Sequence, residues 1–301
     1  VRTAYLGTSD FAATVLRRLA ASPHHPSLVV TPPDRRQGRG RKVKPPPAAI
    51  AATELGIDLL QAESVNEEAA LERIRAAAPE AVVVCAFGQL IREPLLSELP
   101  LLNVHPSLLP RWRGAAPIER AIMARDERTG VCVMRLTEGL DSGPVALCEE
   151  TALDPEEDFE SLGERLATLG GDLLVRALDL QAEGALEFAE QDEAGVTYAE
   201  KIEPVERRLD PQRPAVELAA KVRALTPHVG AYLELPGEER LGVRRAHAVE
   251  DRVEPGKLEA REGALLFGAA EGSLRLELVQ PPGGKPMPAD AYLRGHPLPG
   301  S

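Results

Sequence analysis

The sequence predicts an α/β chain: an N-terminal Rossmann-like domain on a mostly parallel sheet, then a small C-terminal β-barrel of the OB kind. Three observations carry this. Short apolar runs at Thr3–Leu6, Leu28–Thr31, Ala81–Ala86 and Leu101–Val104 alternate with segments of helical apolar spacing, the mark of βαβ units. Past residue 230 the pattern changes to five short alternating segments separated by Gly and Pro, as a small barrel requires. A length of 301 residues suits two domains better than one. The expected partition is 1–188 for the first domain, 189–205 for a linker and 206–301 for the second.

Each element follows from local chemistry. Ser9 or Asp10 can cap a helix that carries Phe11, Val15 and Leu19 on one face, ended by Pro23 and Pro26. The turn after the first strand, Gly7-Thr8-Ser9-Asp10, lacks Gly-x-Gly-x-x-Gly, which argues against a dinucleotide site. Residues 32–47 show no apolar periodicity and read as a long loop with six cationic side chains against one Asp. Ala48–Leu55 reads as a helix closed by Gly56, Ile57–Leu60 as a strand, and Glu67–Ala77 as a helix capped by Asn66. Ala81–Ala86 is a continuous apolar run, as a strand buried on both faces should be. Ala115–Ala124 is the next helix, Gly130–Leu136 and Val145–Glu149 are strands, and Phe159–Glu183 is a long helix with a leucine stripe. Pro214 opens a helix bearing Leu218, Val222 and Leu225. Strands follow at 231–235, 241–249, 257–260, 264–267 and 273–279.

Composition narrows the function. No window approaches a membrane span, no secretory pattern opens the sequence, and Cys85, Cys132 and Cys148 lack metal spacing. Reduced thiols in a cytoplasmic protein without a metal or a membrane partner are expected. The net charge of −12 lies on the first 205 residues, because residues 206–301 carry 14 cationic and 14 acidic side chains. A nucleic-acid partner would need a local basic patch, and residues 32–47 supply one.

The chemistry concentrates at 101–116. Asn103 and His105 alternate with Leu102 and Val104, so both side chains leave one face of a strand, and Pro106 turns the chain immediately after. An amide and an imidazole thus stand at a strand's carboxyl end, where open α/β sheets bind ligands. Asp141, in Gly139-Leu140-Asp141-Ser142-Gly143, adds a carboxylate in a glycine-flanked turn before another strand.

Asn103-Val104-His105, Ser107-Leu108-Leu109-Pro110 and Gly139–Gly143 together resemble the folate-dependent formyltransferases. Arg111-Trp112-Arg113-Gly114-Ala115-Ala116-Pro117-Ile118 is similar to the branch of that family that formylates methionyl-tRNA. The resemblance implies transfer of a formyl group from 10-formyltetrahydrofolate, a donor co-substrate, to the free amine of initiator methionyl-tRNA in translation initiation. It implies that Asn103, His105 and Asp141 are catalytic and that Ser107, Leu108, Leu109, Pro110, Phe87 and Gly88 lie on the folate. It also implies that Arg35, Arg39, Arg41, Lys42 and Lys44 contact the tRNA, with Arg39 nearest the acceptor end. A monomer is expected. A glycinamide ribonucleotide formyltransferase would share the three polar residues but has no use for the basic insertion or the added barrel. A non-catalytic RNA-binding protein would not need all three.

Overall fold

The computed structural model describes residues 1–37, 42–235, 237 and 239–296. Two compact units emerge. The first comprises 1–114, 129–151 and 163–198, and the second 115–128, 152–162 and the chain from 199 on.

β1 (Thr3–Gly7) and β2 (Pro26–Thr31) flank α1 (Asp10–Ala20). The Ser9 hydroxyl caps α1 by accepting from the Ala12 N–H at 3.3 Å, and Val15, Leu16 and Leu19 are buried along one stripe. Each such side chain contributes about 1.5–3 kcal/mol by leaving water. β3 (Arg35–Gln37) and β4 (Lys42–Lys44) form a separate antiparallel pair. α2 (Pro47–Leu55) starts on a proline and stops at Gly56, whose φ of 68° closes the helix in the left-handed conformation. β5 (Asp58–Gln61), α3 (Glu68–Ala76), β6 (Ala81–Cys85), a single turn α4 (Leu95–Glu98) and β7 (Leu101–His105) follow.

Next come β8 (Arg113–Gly114), α5 (Pro117–Ala124), β9 (Arg128–Arg135), β10 (Val145–Ala152), α6 (Phe159–Ala182) and β11 (Tyr198–Ala199). Seven strands make one sheet in the order β10-β9-β7-β6-β1-β2-β5. β7, β6, β1, β2 and β5 are parallel, and β9 runs antiparallel to β7. α6 lies so close to β7 that a Cβ on Gly170 would come within 2.9 Å of Val104 Cγ1. Val104 therefore faces that helix, and by the two-residue period of a strand Asn103 and His105 must leave the opposite face.

In the second unit a 3₁₀ turn at Pro204–Arg207 precedes α7 (Ala215–Leu225). The strands β12 (Ala231–Glu234), β13 (Arg240–Val249), β14 (Leu258–Arg261), β15 (Ala264–Gly268), β16 (Ser273–Gln280) and β17 (Met287–Pro288) lead to α8 (Ala289–Gly295). The sheet is antiparallel, ordered β12-β13-β16-β15-β14, with β17 beside β16. Leu218, Val222, Leu225, Leu241, Val243, Phe267, Leu274 and Leu276 share its core.

Three expectations need correction. Residues 32–47 are not loop throughout, since 35–37 pair with 42–44. Exposed charged side chains carry no apolar period, so pairing made by backbone groups left no mark on the sequence. Asn66 does not cap α3. Its Nδ2 donates to the Leu90 carbonyl at 2.7 Å and its Oδ1 accepts from the Arg92 N–H at 2.9 Å, leaving Glu67 at the cap position. Cys132 and Cys148 are not reduced but form a disulfide between neighbouring β9 and β10, with Cα atoms 4.1 Å apart. Spacing along the chain cannot reveal partners brought together across two strands. β17, α8 and the β8–β11 pair are too short to give a periodic signal. Among the described residues no helix is long and apolar enough to cross a membrane.

Candidate active site

The first unit gathers Asn103, His105 and Asp141 at one point. β7 is buried along its whole length, and only the tips of its two polar residues face inward space: Asn103 is 8% exposed and His105 4%. Asn103 Nδ2 donates to Asp141 Oδ1 at 3.3 Å. His105 Nδ1 lies 3.6 Å from Asp141 Oδ2, an ion pair whenever the imidazole is protonated. The other ring nitrogen, Nε2, sits 2.9 Å from the Trp112 carbonyl. A carbonyl oxygen only accepts, so Nε2 carries a hydrogen and Nδ1 is the atom free to gain or lose one.

Backbone groups of the segment after β7 complete the arrangement. The Gly114 N–H donates to Asp141 Oδ2 at 2.8 Å, so both carboxylate oxygens are held. Trp112 and Asp141 both adopt left-handed backbone, with φ of 62° and 45°. Such conformations cost free energy in residues with a Cβ and persist where surrounding contacts impose them. For Trp112 the contact is its N–H on Thr197 Oγ1 at 2.9 Å, reinforced by the Arg113 N–H on the Thr197 carbonyl at 2.9 Å. For Asp141 it is Gln191, whose Nε2 donates to the Asp141 and Gly143 carbonyls, each at 2.8 Å. Sequence reasoning tied neither Gln191 nor Thr197 to the site. They act on backbone atoms from 48 or more positions away, and no spacing rule ties them to the motif.

The remaining expected residues divide. Ser107 is buried, and its hydroxyl donates to the Arg111 carbonyl at 2.6 Å, which closes the turn through Leu108, Leu109 and Pro110. Those three stay partly exposed beside β7. Phe87 is buried in the apolar core that also holds Leu6, Val84 and Leu101, and its carbonyl accepts from the Thr8 hydroxyl at 2.6 Å. Its side chain is thus core, and the loop presents Gly88, at φ 75°, instead. Arg35, Lys42 and Lys44 stand exposed on the β3–β4 hairpin, while Arg39 and Arg41 lie outside the described residues. Asp34 anchors the base of that hairpin by accepting from Gln61 Nε2 at 2.8 Å. The hairpin follows β2 and the His105 turn follows β7, both at carboxyl ends of parallel strands. Three strand spacings separate them, roughly 14 Å at about 4.8 Å each. Among the described residues no three His, Cys, Asp or Glu side chains group as metal ligands.

Comparison with known proteins meets this geometry from outside. A family model described as formyl transferase matches residues 1–178, and one described as formyl transferase, C-terminal domain, matches 201–297. The chain belongs to the formyltransferase family. Relatives within that family include a methionyl-tRNA formyltransferase of Methylobacillus flagellatus, 42% identical over 98% of this chain and 96% of the relative. Another, of Phenylobacterium zucineum, is 44% identical over 99% of this chain and 98% of the relative. Among solved formyltransferase-like folds, methionyl-tRNA formyltransferase from Clostridium thermocellum matches at a TM-score of 0.59 and 11% identity, over 84% of this chain and 96% of that one. HypX from Aquifex aeolicus, in complex with tetrahydrofolic acid, matches at 0.67 and 17%, over 97% of this chain but 46% of that one. These two distant likenesses speak to the fold.

Proposed function

We propose that this formyltransferase moves the formyl group of 10-formyltetrahydrofolate onto the amine of initiator methionyl-tRNA, acting as a cytoplasmic monomer. The observation that carries the mechanism is the convergence of Asn103, His105 and Asp141 at a strand's carboxyl end, Asn103 hydrogen-bonded to the carboxylate and His105 Nδ1 3.6 Å from it. The identity of more than 40% with methionyl-tRNA formyltransferases along nearly the whole chain favours that acceptor. In this reading residues 1–188 carry the chemistry, 189–205 link, and 206–301 face RNA.

The donor supplies a carbonyl carbon on a nitrogen that can leave. The acceptor amine forms the new C–N bond, the carbonyl oxygen takes up negative charge, and the old C–N bond then breaks. Asn103 Nδ2 holds two hydrogens and gives one to Asp141, so the second can face the developing oxyanion. His105 Nδ1, when protonated, is a second donor to that oxygen. Asp141 accepts in the opposite sense: its carboxylate holds the imidazolium and receives the proton that the attacking amine must lose. The count closes when the departing nitrogen takes a proton from Nδ1 and the proton on Asp141 then passes to Nδ1, or when the Asp141 proton reaches that nitrogen directly through water. No covalent enzyme adduct is needed, because esterification lowers the α-amino pKa below its free value of about 8 and much of the amine is already neutral near pH 7.

Ser107–Pro110 and the Phe87–Gly88 backbone flank the donor side in this reading. Arg35, Arg39, Arg41, Lys42 and Lys44 meet tRNA phosphates. The deciding experiment supplies 10-formyltetrahydrofolate with methionyl-tRNA or glycinamide ribonucleotide and follows the acceptor formylated. Product on the nucleotide and none on the tRNA would sink the reading.

A further inference from the structure

Gln191 and Arg113 form a strut that reaches the Asp141 turn from behind. Arg113 is buried, and its Nε donates to Gln191 Oε1 at 3.0 Å. A guanidinium only donates, so this contact fixes which end of the Gln191 amide is oxygen and turns Nε2 toward the turn. There Nε2 uses both hydrogens, one on the Asp141 carbonyl and one on the Gly143 carbonyl. The turn cannot drift away from its strand either. A Cβ on Gly143 would lie 2.0 Å from the Arg135 carbonyl, so backbone is pressed on backbone.

The other end of the strut joins the same site. Arg113 lies between Trp112, whose carbonyl holds His105, and Gly114, whose N–H holds Asp141. The contacts form a closed ring running from 112–114 to the Asp141 carboxylate, through the 141–143 backbone to Gln191, and back to Arg113. The ring explains how a non-glycine residue at φ 45° is held. Arg113 Nη2 is buried without a hydrogen-bond partner among the described residues, which costs stability. Its presence is thus poorly accounted for by stability alone.

We propose that Gln191, oriented by Arg113, is a positioning residue for formyl transfer: it sets the Asp141 carboxylate against His105 and Asn103. The inference rests on the reading of Asp141 as a participant in the chemistry. Displacing a reacting group by about 1 Å costs on the order of 10²-fold in rate.

The test uses the full chain with 10-formyltetrahydrofolate and methionyl-tRNA. It compares wild type with Asp141→Asn, Gln191→Ala, Gln191→Asn and Arg113→Lys. Turnover, KM for each substrate and the NMR titration of the His105 imidazole are measured. Gln191→Ala should lower kcat by about 10–100-fold with either KM changed less than about threefold. Its His105 titration midpoint should shift toward that of Asp141→Asn. Gln191→Asn keeps an amide but is one methylene short, and should fall between wild type and Gln191→Ala. Arg113→Lys loses the planar donor and should shift the midpoint in the same direction. If Gln191→Ala fails to fold, Gln191→Asn decides. If Asp141→Asn keeps wild-type turnover, the assignment of Asp141 fails first. If Asp141→Asn is impaired while the folded Gln191 variants keep wild-type kcat and His105 titration, the positioning role is overturned.

Discussion

The Asn103–His105–Asp141 cluster and the β3–β4 hairpin are both polar, and both belong to the carboxyl side of one sheet, yet they are built on opposite principles. In the cluster every carboxylate oxygen and the Nε2 of the imidazole are held at a stated distance, and almost no side-chain surface meets water. On the hairpin the described cations are exposed, and Arg35 makes a long pair with Glu63 at 3.7 Å. In the proposed function the contrast separates two jobs. Charge that must act on one atom is fixed by short contacts in a dry place, where it is strong. Charge that must attract a long polyanion gains from exposure and works through the release of counterions.

The sharpest way to break that contrast is to remove the fixed groups. Asn103→Ala, His105→Ala and Asp141→Ala should each lower turnover by about 10²–10⁴-fold while folate binding measured by fluorescence titration stays close to wild type. A variant near wild-type turnover would take its residue out of the chemistry. Gly143→Ala adds only a methyl group but forces the turn off Arg135, and should cost about 10²-fold in kcat. Full activity there would mean that the turn tolerates displacement.

The exposed region should respond to salt. Arg39→Ala should weaken use of methionyl-tRNA severely without touching folate affinity, as measured by kcat/KM for each substrate. Arg39→Lys should also be impaired, because a guanidinium offers a planar fork that an ammonium lacks. Lys42→Ala and Lys44→Ala should do less, each flattening the slope of log binding on log salt by about 0.7. Unchanged slopes would make the hairpin an ordinary solvated insertion.

The smallest effect tests the dry side. Burial pushes the Cys85 thiol up to about 12, so it stays protonated at pH 8. Iodoacetamide should leave it unmodified in the folded chain and alkylate it on denaturation, read by mass spectrometry. Because the folded pKa lies above that of the unfolded chain, this group destabilises the fold as pH rises through about 9 to 12.

The three central residues were legible because their signals are made of residue types at fixed spacing. Two polar groups two apart on an apolar strand share a face, and an Asp between glycines marks a turn. The five main strands of the second unit were legible for the same reason of period. What lay hidden is made of backbone. Trp112 holds His105 through a carbonyl that any residue would offer, and Gln191 grips carbonyls that carry no sequence signature. Asn66 shows the same limit from the other side. Its type suits a helix cap, but the 90–92 loop competes for its amide and wins. At Phe87 side chain and backbone of one residue serve different ends, here a core and a hydrogen bond to Thr8.

The reversal at β9 has one more consequence. Because β9 runs against β7, Leu136 lies beside Leu101, at the opposite end of β7 from His105. The turn bearing Asp141 must therefore cross the sheet's face to reach the imidazole, rather than rise from the rim where the loops after β2 and β6 emerge. Carboxylate and rim loops are anchored at opposite edges. Insertions, deletions or changes of charge in the loops after β2 or β6 can accumulate without carrying Asp141 with them. A lineage could remodel those rim loops while inheriting the Asn103–His105–Asp141 cluster whole.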